Sequence, residues 1–275
     1  MSDMTAMSGP LLLVGCGKMG GALLGGWLDQ GITADQVVVV EPALDSDRSA
    51  VPSGVTVLSD GSEFAAEFAP AVVVFAVKPQ VMGDVVPGYS RFKGSAVYLS
   101  IAAGTPIRFF EANLGDGAAV VRVMPNTPAA VRQGMSVLCA NSHTSEVQHD
   151  LCGGLMAAVG DTAWLEDEAL MDAVTAVSGS GPAYVFHLIE CLAKAAVDVG
   201  LEPELAARLA LQTVAGSGEL ARQSDDDAAQ LRVNVTSPGG TTHAALEVLM
   251  GDGGLQPLMT KAVQAAEKRG KELGA

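Results

Sequence analysis

The sequence predicts an α/β protein whose N-terminal parallel sheet is followed by an all-α C-terminal domain. Three observations predict it. A short apolar run, Leu11 to Val14, passes directly into Gly15-Cys16-Gly17-Lys18-Met19-Gly20 and then into an apolar helical pattern through Leu28. Further apolar runs alternate with helical patterns as far as about residue 166. From about Asp167 the strands stop, and long Ala-rich helical patterns take over. Apolar strands alternating with helices imply a parallel sheet buried on both faces. Among 275 residues the hydrophobic share is 49% and the aromatic share 4%, so a core of Ala, Val and Leu is expected, which suits packed helices and parallel strands.

The first element carries the most specific pattern. Its three glycines stand at the G-x-G-x-x-G spacing between a strand and a helix, the context that gives the motif meaning: a tight turn, room for a pyrophosphate against the backbone, and close helix packing. The second strand, Val37 to Val40, ends in Glu41, 21 residues beyond Gly20. An acid about 20 residues on is where the ribose hydroxyls of an adenosine are bound. Residues 11–166 therefore read as a Rossmann-type dinucleotide-binding domain, with 1–10 as a disordered tail. Glu41 repels a 2′-phosphate and favours NADH, while Ser46, Arg48 and Ser49 offer a site for that phosphate if the loop folds back.

A weak strand at Val55 to Val57, a helix near Ser62 to Phe68 and a strong strand at Ala71 to Val77 follow. Two more strands are expected at Ala96 to Leu99 and Ala119 to Val123. Ligands of such sheets sit outside the carboxyl ends of the strands. Those ends carry Lys78-Pro79, Ser100 to Pro106 and Met124-Pro125-Asn126-Thr127-Pro128, segments of small residues and prolines that suit a flat nicotinamide lying against backbone. They also read as ordinary turns, with Thr105 capping a helix that has Pro106 in its first position.

Residues 167–275 form the helical domain, with helices expected at Pro182 to Val199, Pro203 to Gln223, Thr242 to Met250 and Leu255 to Lys271. Pro182 and Pro203 fit first turns and Gly200 a C-terminal cap. The helix after Pro182 is apolar almost all round, which calls for burial between partners, a second subunit among them. Within this half, Asn234 to His243 places hydroxyls on either side of a Pro-Gly-Gly turn just before a helix. Gly239 and Gly240 free the backbone, Thr241 or Thr242 is the expected N-cap, and the helix start is a site for a small anion. Asp225-Asp226-Asp227 reads as a charge cluster at a helix start.

Other chemistries are excluded or unsupported. A formal charge of -15 argues against nucleic acid. The N-terminus lacks a signal-peptide pattern, and the longest apolar run, Ala71 to Val77, is far short of the roughly 18 residues of a spanning helix, so no membrane partner is expected. Cys16, Cys139, Cys152 and Cys191 have no metal or redox spacing and read as core residues in a reducing cytoplasm. His143, His149, His187 and His243 are scattered, no nucleophile elbow is present, and no metal is expected. Hydride chemistry needs little more than positioning, because the nicotinamide carries the reaction.

Taken together, Gly-Cys-Gly-Lys-Met-Gly at 15–20, Ala-Val-Lys-Pro at 76–79, Ser-Ile-Ala-Ala-Gly at 100–104, Met-Pro-Asn-Thr-Pro at 124–128, Ser-Gly-Ser-Gly-Pro-Ala-Tyr at 178–184 and Ser-Pro-Gly-Gly-Thr-Thr at 237–242 resemble pyrroline-5-carboxylate reductase over nearly the whole chain. The resemblance implies an oxidoreductase that reduces 1-pyrroline-5-carboxylate to L-proline with NADPH or NADH, the last step of proline biosynthesis. It implies cofactor contacts at Gly15, Cys16, Gly17, Lys18, Met19, Gly20, Ala76, Val77, Lys78, Pro79, Ile101, Ala103 and Asn234, to which the spacing adds Glu41. It places the substrate carboxylate on Ser237, Gly239, Gly240, Thr241 and Thr242, with the Thr242 hydroxyl near the ring nitrogen as the catalytic group. It also implies dimers of interlocked C-terminal helices, gathered in some members into larger rings such as decamers. Glu41 departs from many relatives, where a neutral residue and a phosphate-binding neighbour stand.

Two other enzymes share the outline. An imine reductase for another cyclic imino acid would use the same loop. A β-hydroxyacid dehydrogenase would need Lys and Asn where counting from Gly179-Ser180-Gly181 finds Val185 and Ile189. A cofactor-binding regulator without turnover would have no use for Ser237 to Thr242.

Overall fold

The computed structural model describes residues 7–42 and 51–274, so the phosphate-site candidates Ser46, Arg48 and Ser49 lie outside the described residues, as do 1–6 of the expected tail. Residues 7–10 are not a loose tail: Met7 packs against the core and the Pro10 carbonyl accepts the Ala71 N–H at 3.0 Å. Contacts divide the chain into two compact units, 1–179 with 267–275, and 180–266. The change in composition near Asp167 thus precedes the division at Gly179. The intervening residues pack with the sheet, Met171 and Ala176 being wholly buried.

The first unit is built on eight strands: β1 (Leu11–Val14), β2 (Val37–Val40), β3 (Thr56–Leu58), β4 (Val72–Phe75), β5 (Val97–Ser100), β6 (Val120–Met124), β7 (Gly134–Ala140) and β8 (Gly160–Leu165). Their order is β3-β2-β1-β4-β5-β6-β7-β8. All neighbours are parallel except β6 and β7, which run antiparallel. β1, β2, β4 and β5 are buried at every residue because helices cover both faces. Alternation splits each strand between two cores: Leu11, Leu13, Val37, Val39, Val72 and Val74 join Trp27 on one face, while Leu12, Val14, Val38, Val40, Val73 and Phe75 join the other. The second core is not aliphatic as expected. It gathers most of the few aromatics, with Phe75 5.4 Å from Tyr89 and 5.8 Å from Phe110 between ring centres.

The helices of this unit are α1 (Lys18–Asp29), α2 (Met82–Val85), α3 (Ile107–Leu114), α4 (Glu146–Ala157) and α5 (Met171–Val174). The helix expected near Ser62 to Phe68 is instead a single 3-10 turn, Gly61–Glu63, closed by a capping box between Asp60 and Glu63, after which Phe64 stacks on Phe68. Thr105 does not cap α3; its N-cap is Pro106, and the Ile107 N–H is accepted by the distant Glu168 carboxylate at 2.8 Å. β7, α4 and β8 were not anticipated. α4 carried a legible signal, the capping box from Ser145 to Gln148. β7 and β8 approach so closely that a Cβ on Gly160 would lie 1.9 Å from the Gly134 carbonyl oxygen.

The second unit contains α6 (Gly181–Asp198), α7 (Pro203–Gln223), α8 (Ala228–Asn234), α9 (Thr241–Leu249) and most of α10 (Leu255–Gly274), whose last turns group with the first unit. Pro182 and Pro203 sit in first turns, and Gly200 follows α6 at φ +101. Asp227 caps α8 by accepting the Gln230 N–H, which accounts for the acidic cluster. α6 and α7 pack on each other around the buried Ala206 and Ala210. Within one chain the rest of α6 stays open: Phe186 is 60% and Leu188 47% exposed. Cys191 is correspondingly exposed, unlike the buried Cys16, Cys139 and Cys152. Among the described residues no helix is long and apolar enough to cross a membrane.

Candidate active site

The glycine turn has the geometry its spacing requires. Gly15 lies at φ +95, and a Cβ there would meet Val77 Cγ1 at 2.8 Å and the Ala76 carbonyl oxygen at 2.9 Å. A Cβ on Gly20 would fall 2.4 Å from the Gly15 carbonyl oxygen, so only glycine lets the first turn of α1 sit against the strand end. Gly17 differs: nothing lies within 4 Å of its Cβ position, which leaves open space beside the backbone. No side chain caps α1 and its first turn holds no acid, so the N–H groups at Lys18 and Met19 have no side-chain acceptor from the helix itself. That is the chemistry a pyrophosphate needs.

Glu41 stands beside this glycine turn. Its carboxylate accepts the Cys16 N–H at 2.8 Å, and its own N–H donates to the Leu58 carbonyl at 3.0 Å. Burial, with this carboxylate adding a smaller push, holds the Cys16 thiol above its ordinary pKa and keeps it neutral. Beside it, at the ends of β1 and β2, a cavity of about 450 Å³ is lined by Val14, Val40 and Val77 and also by Asp60 and Asp84. Among the described residues that line it, Asp60 and Asp84 carry the charge.

The remaining strand ends are held by short-range bonds. Ala76 donates to the Val14 carbonyl at 2.8 Å, after which Lys78 leads into the 3-10 turn Pro79–Val81. Ile101 donates to the Phe75 carbonyl at 3.1 Å, the Ala102 N–H reaches Ser100 Oγ at 3.3 Å, and Gly104 turns the chain at φ +73 beyond Ala103. Asn126, from the third strand-end segment, donates to the Ser178 carbonyl at 3.3 Å and accepts the Met135 N–H at 2.9 Å. Ser178 belongs to a π-turn, Thr175–Gly179, in which Met124 Cε occupies the space a Gly179 Cβ would need. The strand-end motif and Ser178-Gly179 are therefore packed together, which spacing alone does not reveal. Sequence reading also missed Arg122 and Glu168, an ion pair at 2.8 Å. The signal was available, since an arginine inside the strand Val-Val-Arg-Val demands a buried partner.

In the second unit the Asn234–His243 segment joins α8 to α9. Gly239 takes φ +69, the left-handed region that favours glycine, and the Gly240 N–H closes the turn on the Ser237 carbonyl at 3.0 Å. Gly240, not Thr241 or Thr242, is the N-cap of α9, and no side chain caps the helix. Thr241 and Thr242 therefore occupy the first two helical positions, where their N–H groups face outward and an anion has backbone donors to meet. Asn234 has both ends of its side-chain amide engaged, donating to Asp226 at 3.0 Å and accepting from Gln230 at 2.8 Å. His243 is 3.7 Å from Glu247 on the exposed side of α9. Among the described residues no group of His, Cys, Asp and Glu is placed to hold a metal ion.

Comparison with known proteins matches two segments of the chain. Residues 168–273 match the family described as pyrroline-5-carboxylate reductase dimerisation, and residues 11–104 match the NADP oxidoreductase, coenzyme F420-dependent family. The chain is 42% identical to the pyrroline-5-carboxylate reductase of Pseudomonas aeruginosa, over 97% of this chain and 98% of that protein. The solved structure of a pyrroline-5-carboxylate reductase from Coxiella burnetii matches with TM-score 0.90 and 35% identity, covering 98% and 99% of the two chains. A Plasmodium falciparum pyrroline carboxylate reductase solved with NADP bound matches with TM-score 0.82 and 32% identity, covering 98% and 99%.

Proposed function

The chain belongs to the pyrroline-5-carboxylate reductase family, and from that premise we propose how its own residues carry out the reduction. The enzyme reduces 1-pyrroline-5-carboxylate to L-proline with NADPH or NADH, the last step of proline biosynthesis. The cofactor supplies the hydride. Gly15 to Gly20 hold its pyrophosphate on the start of α1, Glu41 takes the ribose hydroxyls, and Ala76 to Pro79 with Ile101 and Ala103 line the path to the nicotinamide. Asn234 is the remaining residue of the proposed cofactor set.

The observation that carries the reading is the uncapped start of α9 behind a left-handed glycine. Ser237, Gly239, Gly240, Thr241 and Thr242 form a carboxylate clamp there. A small carboxylate is well matched to outward-facing N–H groups and the positive end of the helix dipole. With the carboxylate anchored, the Thr242 hydroxyl is aimed at the ring nitrogen, where charge changes as hydride arrives at the adjacent carbon. Residues 167–275 provide this clamp together with self-association, as a dimer built on α6 and, in larger assemblies, a decamer. The protein works in the cytoplasm.

Purified protein should oxidise NADPH or NADH when given pyrroline-5-carboxylate; folded protein that turns over neither would sink the proposal. The same assay tests the adenosine end. Replacing Glu41 with Ser removes a carboxylate from the place a 2′-phosphate must occupy. The ratio of kcat/KM for NADPH to that for NADH should rise about tenfold or more, equivalent to about 1.4 kcal/mol. An unchanged ratio would show that Glu41 serves only to hold the glycine turn.

A further inference from the structure

We propose that Glu168 and Arg122 are positioning residues that hold the loop Ile101–Pro106 in place for the nicotinamide, an inference that rests on the cofactor site described above. The loop leaves the sheet after Ser100, the last residue of β5, and re-enters regular structure at Ile107, the first residue of α3. Its upstream end is fixed by the sheet, because Ile101 donates to the Phe75 carbonyl and Ser100 stands in register with Arg122 of β6. Its downstream end has no local anchor. Pro106 occupies the N-cap of α3 and offers no side-chain acceptor, so the first N–H of the helix must find one elsewhere.

Glu168 supplies it from 61 residues away. One carboxylate oxygen, Oε1, accepts both the Ile107 N–H and an Arg122 Nη1 hydrogen, each at 2.8 Å. The links form a closed circuit: Ser100 to Arg122 through the strand ladder, Arg122 to Glu168 through the ion pair, and Glu168 to Ile107 through the cap. The six residues between Ser100 and Ile107 are thereby held at one end by the backbone ladder of β5 and β6 and at the other by the Glu168 carboxylate, which the Arg122 side chain holds in place. The Arg122 side chain is 9% exposed, and its guanidinium meets the Glu168 carboxylate there. Within the circuit, Ala102 and Thr105 are buried, and Gly104 turns at φ +73 beside Leu273. Ile101 and Ala103, the residues assigned to the cofactor, lie on a segment whose shape the pair determines. The carboxylate clamp of α9 has no part in the circuit, and that separates the expected effects.

The test compares Glu168→Ala, Glu168→Gln and Arg122→Met with the wild-type enzyme. Steady-state kinetics would give KM for cofactor and substrate separately, and calorimetry with NAD+ would give cofactor affinity without turnover. Glu168→Ala should raise the cofactor KM and the NAD+ Kd about tenfold or more, while the pyrroline-5-carboxylate KM at saturating cofactor changes less than about twofold. Glu168→Gln should recover part of that loss, since its amide oxygen still accepts the Ile107 N–H. The double variant Glu168→Ala with Arg122→Met should be no worse than the poorer single variant, as expected for groups acting as a unit.

Folded Glu168→Ala and Glu168→Gln with unchanged cofactor KM would overturn the proposal. So would equal rises in both KM values, or activity lost only in proportion to unfolded protein. Failure of both Glu168 variants to fold would make the pair a fold determinant, and that too would overturn it. A wild-type enzyme without turnover would instead overturn the functional reading, whatever the NAD+ calorimetry showed.

Discussion

Thr242→Ala is expected to lower kcat/KM for pyrroline-5-carboxylate by roughly ten-fold to a thousand-fold, and Ser237→Ala by an amount in the same range, the loss seen when a transition-state hydrogen bond is removed. The geometry makes these substitutions informative about chemistry rather than folding. The turn before α9 is closed by backbone, the Gly240 N–H on the Ser237 carbonyl, so loss of the Ser237 hydroxyl leaves that bond intact. The N-cap of α9 is Gly240, and no side chain caps the helix, so removing the Thr242 hydroxyl removes no cap. Stability should therefore move little, within about 1 kcal/mol as is usual for surface changes that break no cap or core contact. The two variants should also differ in kind. On the proposed assignment, Ser237→Ala weakens a contact to the carboxylate shared by ground state and transition state, and should raise KM. Thr242→Ala removes a bond that strengthens as charge changes at nitrogen, and should lower kcat. Steady-state kinetics at saturating cofactor distinguish these outcomes, and unchanged constants in both variants would reduce the loop to an ordinary helix start.

Leu188→Glu is expected to dissociate the self-associated enzyme. α6 is apolar on nearly every side, yet in the single chain none of its residues is buried, and Val185, Phe186, Leu188 and Leu192 are all more than 40% exposed. So much apolar surface on one helix is the mark of an interface. A symmetric dimer repeats any substitution, so the lost burial of about 1.5–3 kcal/mol per side chain counts twice. The dissociation constant should rise roughly a hundred-fold to ten-thousand-fold. Analytical ultracentrifugation across a concentration series would measure it. A variant with wild-type sedimentation at low micromolar concentration would show that α6 is covered by something other than a second copy.

Some of this architecture was legible before any coordinates. Strand, glycine turn and helix at residues 11–28, the two proline-initiated helices and the acidic cluster at a helix start follow from local patterns, because backbone conformation at glycine, proline and capping residues is decided within a few neighbours. Other features were not. The antiparallel turn of β7 against β6 depends on which edge of the sheet the chain returns to, and β7 and β8 look unremarkable because one sits beside a partly exposed edge strand. The helix expected at Ser62 to Phe68 is replaced by a 3-10 turn, beyond which Phe64 is buried in the aromatic core and stacks on Phe68.

The site divides along the same line. By itself the sequence determined what the residues can do: glycines that admit a pyrophosphate, an acid for ribose, a helix start with hydroxyls for a carboxylate. Each is a property of a short segment and its backbone. Only the tertiary structure decided which segments hold one another. It placed the Met124–Asn126 segment against Ser178 and Gly179, gave α9 a glycine cap in place of a threonine one, and set Glu168 beneath Ile107 to close a loop that Pro106 leaves open. The reason is physical. A buried N–H or guanidinium must find a partner, but which acceptor reaches it is settled by packing between residues far apart in the chain.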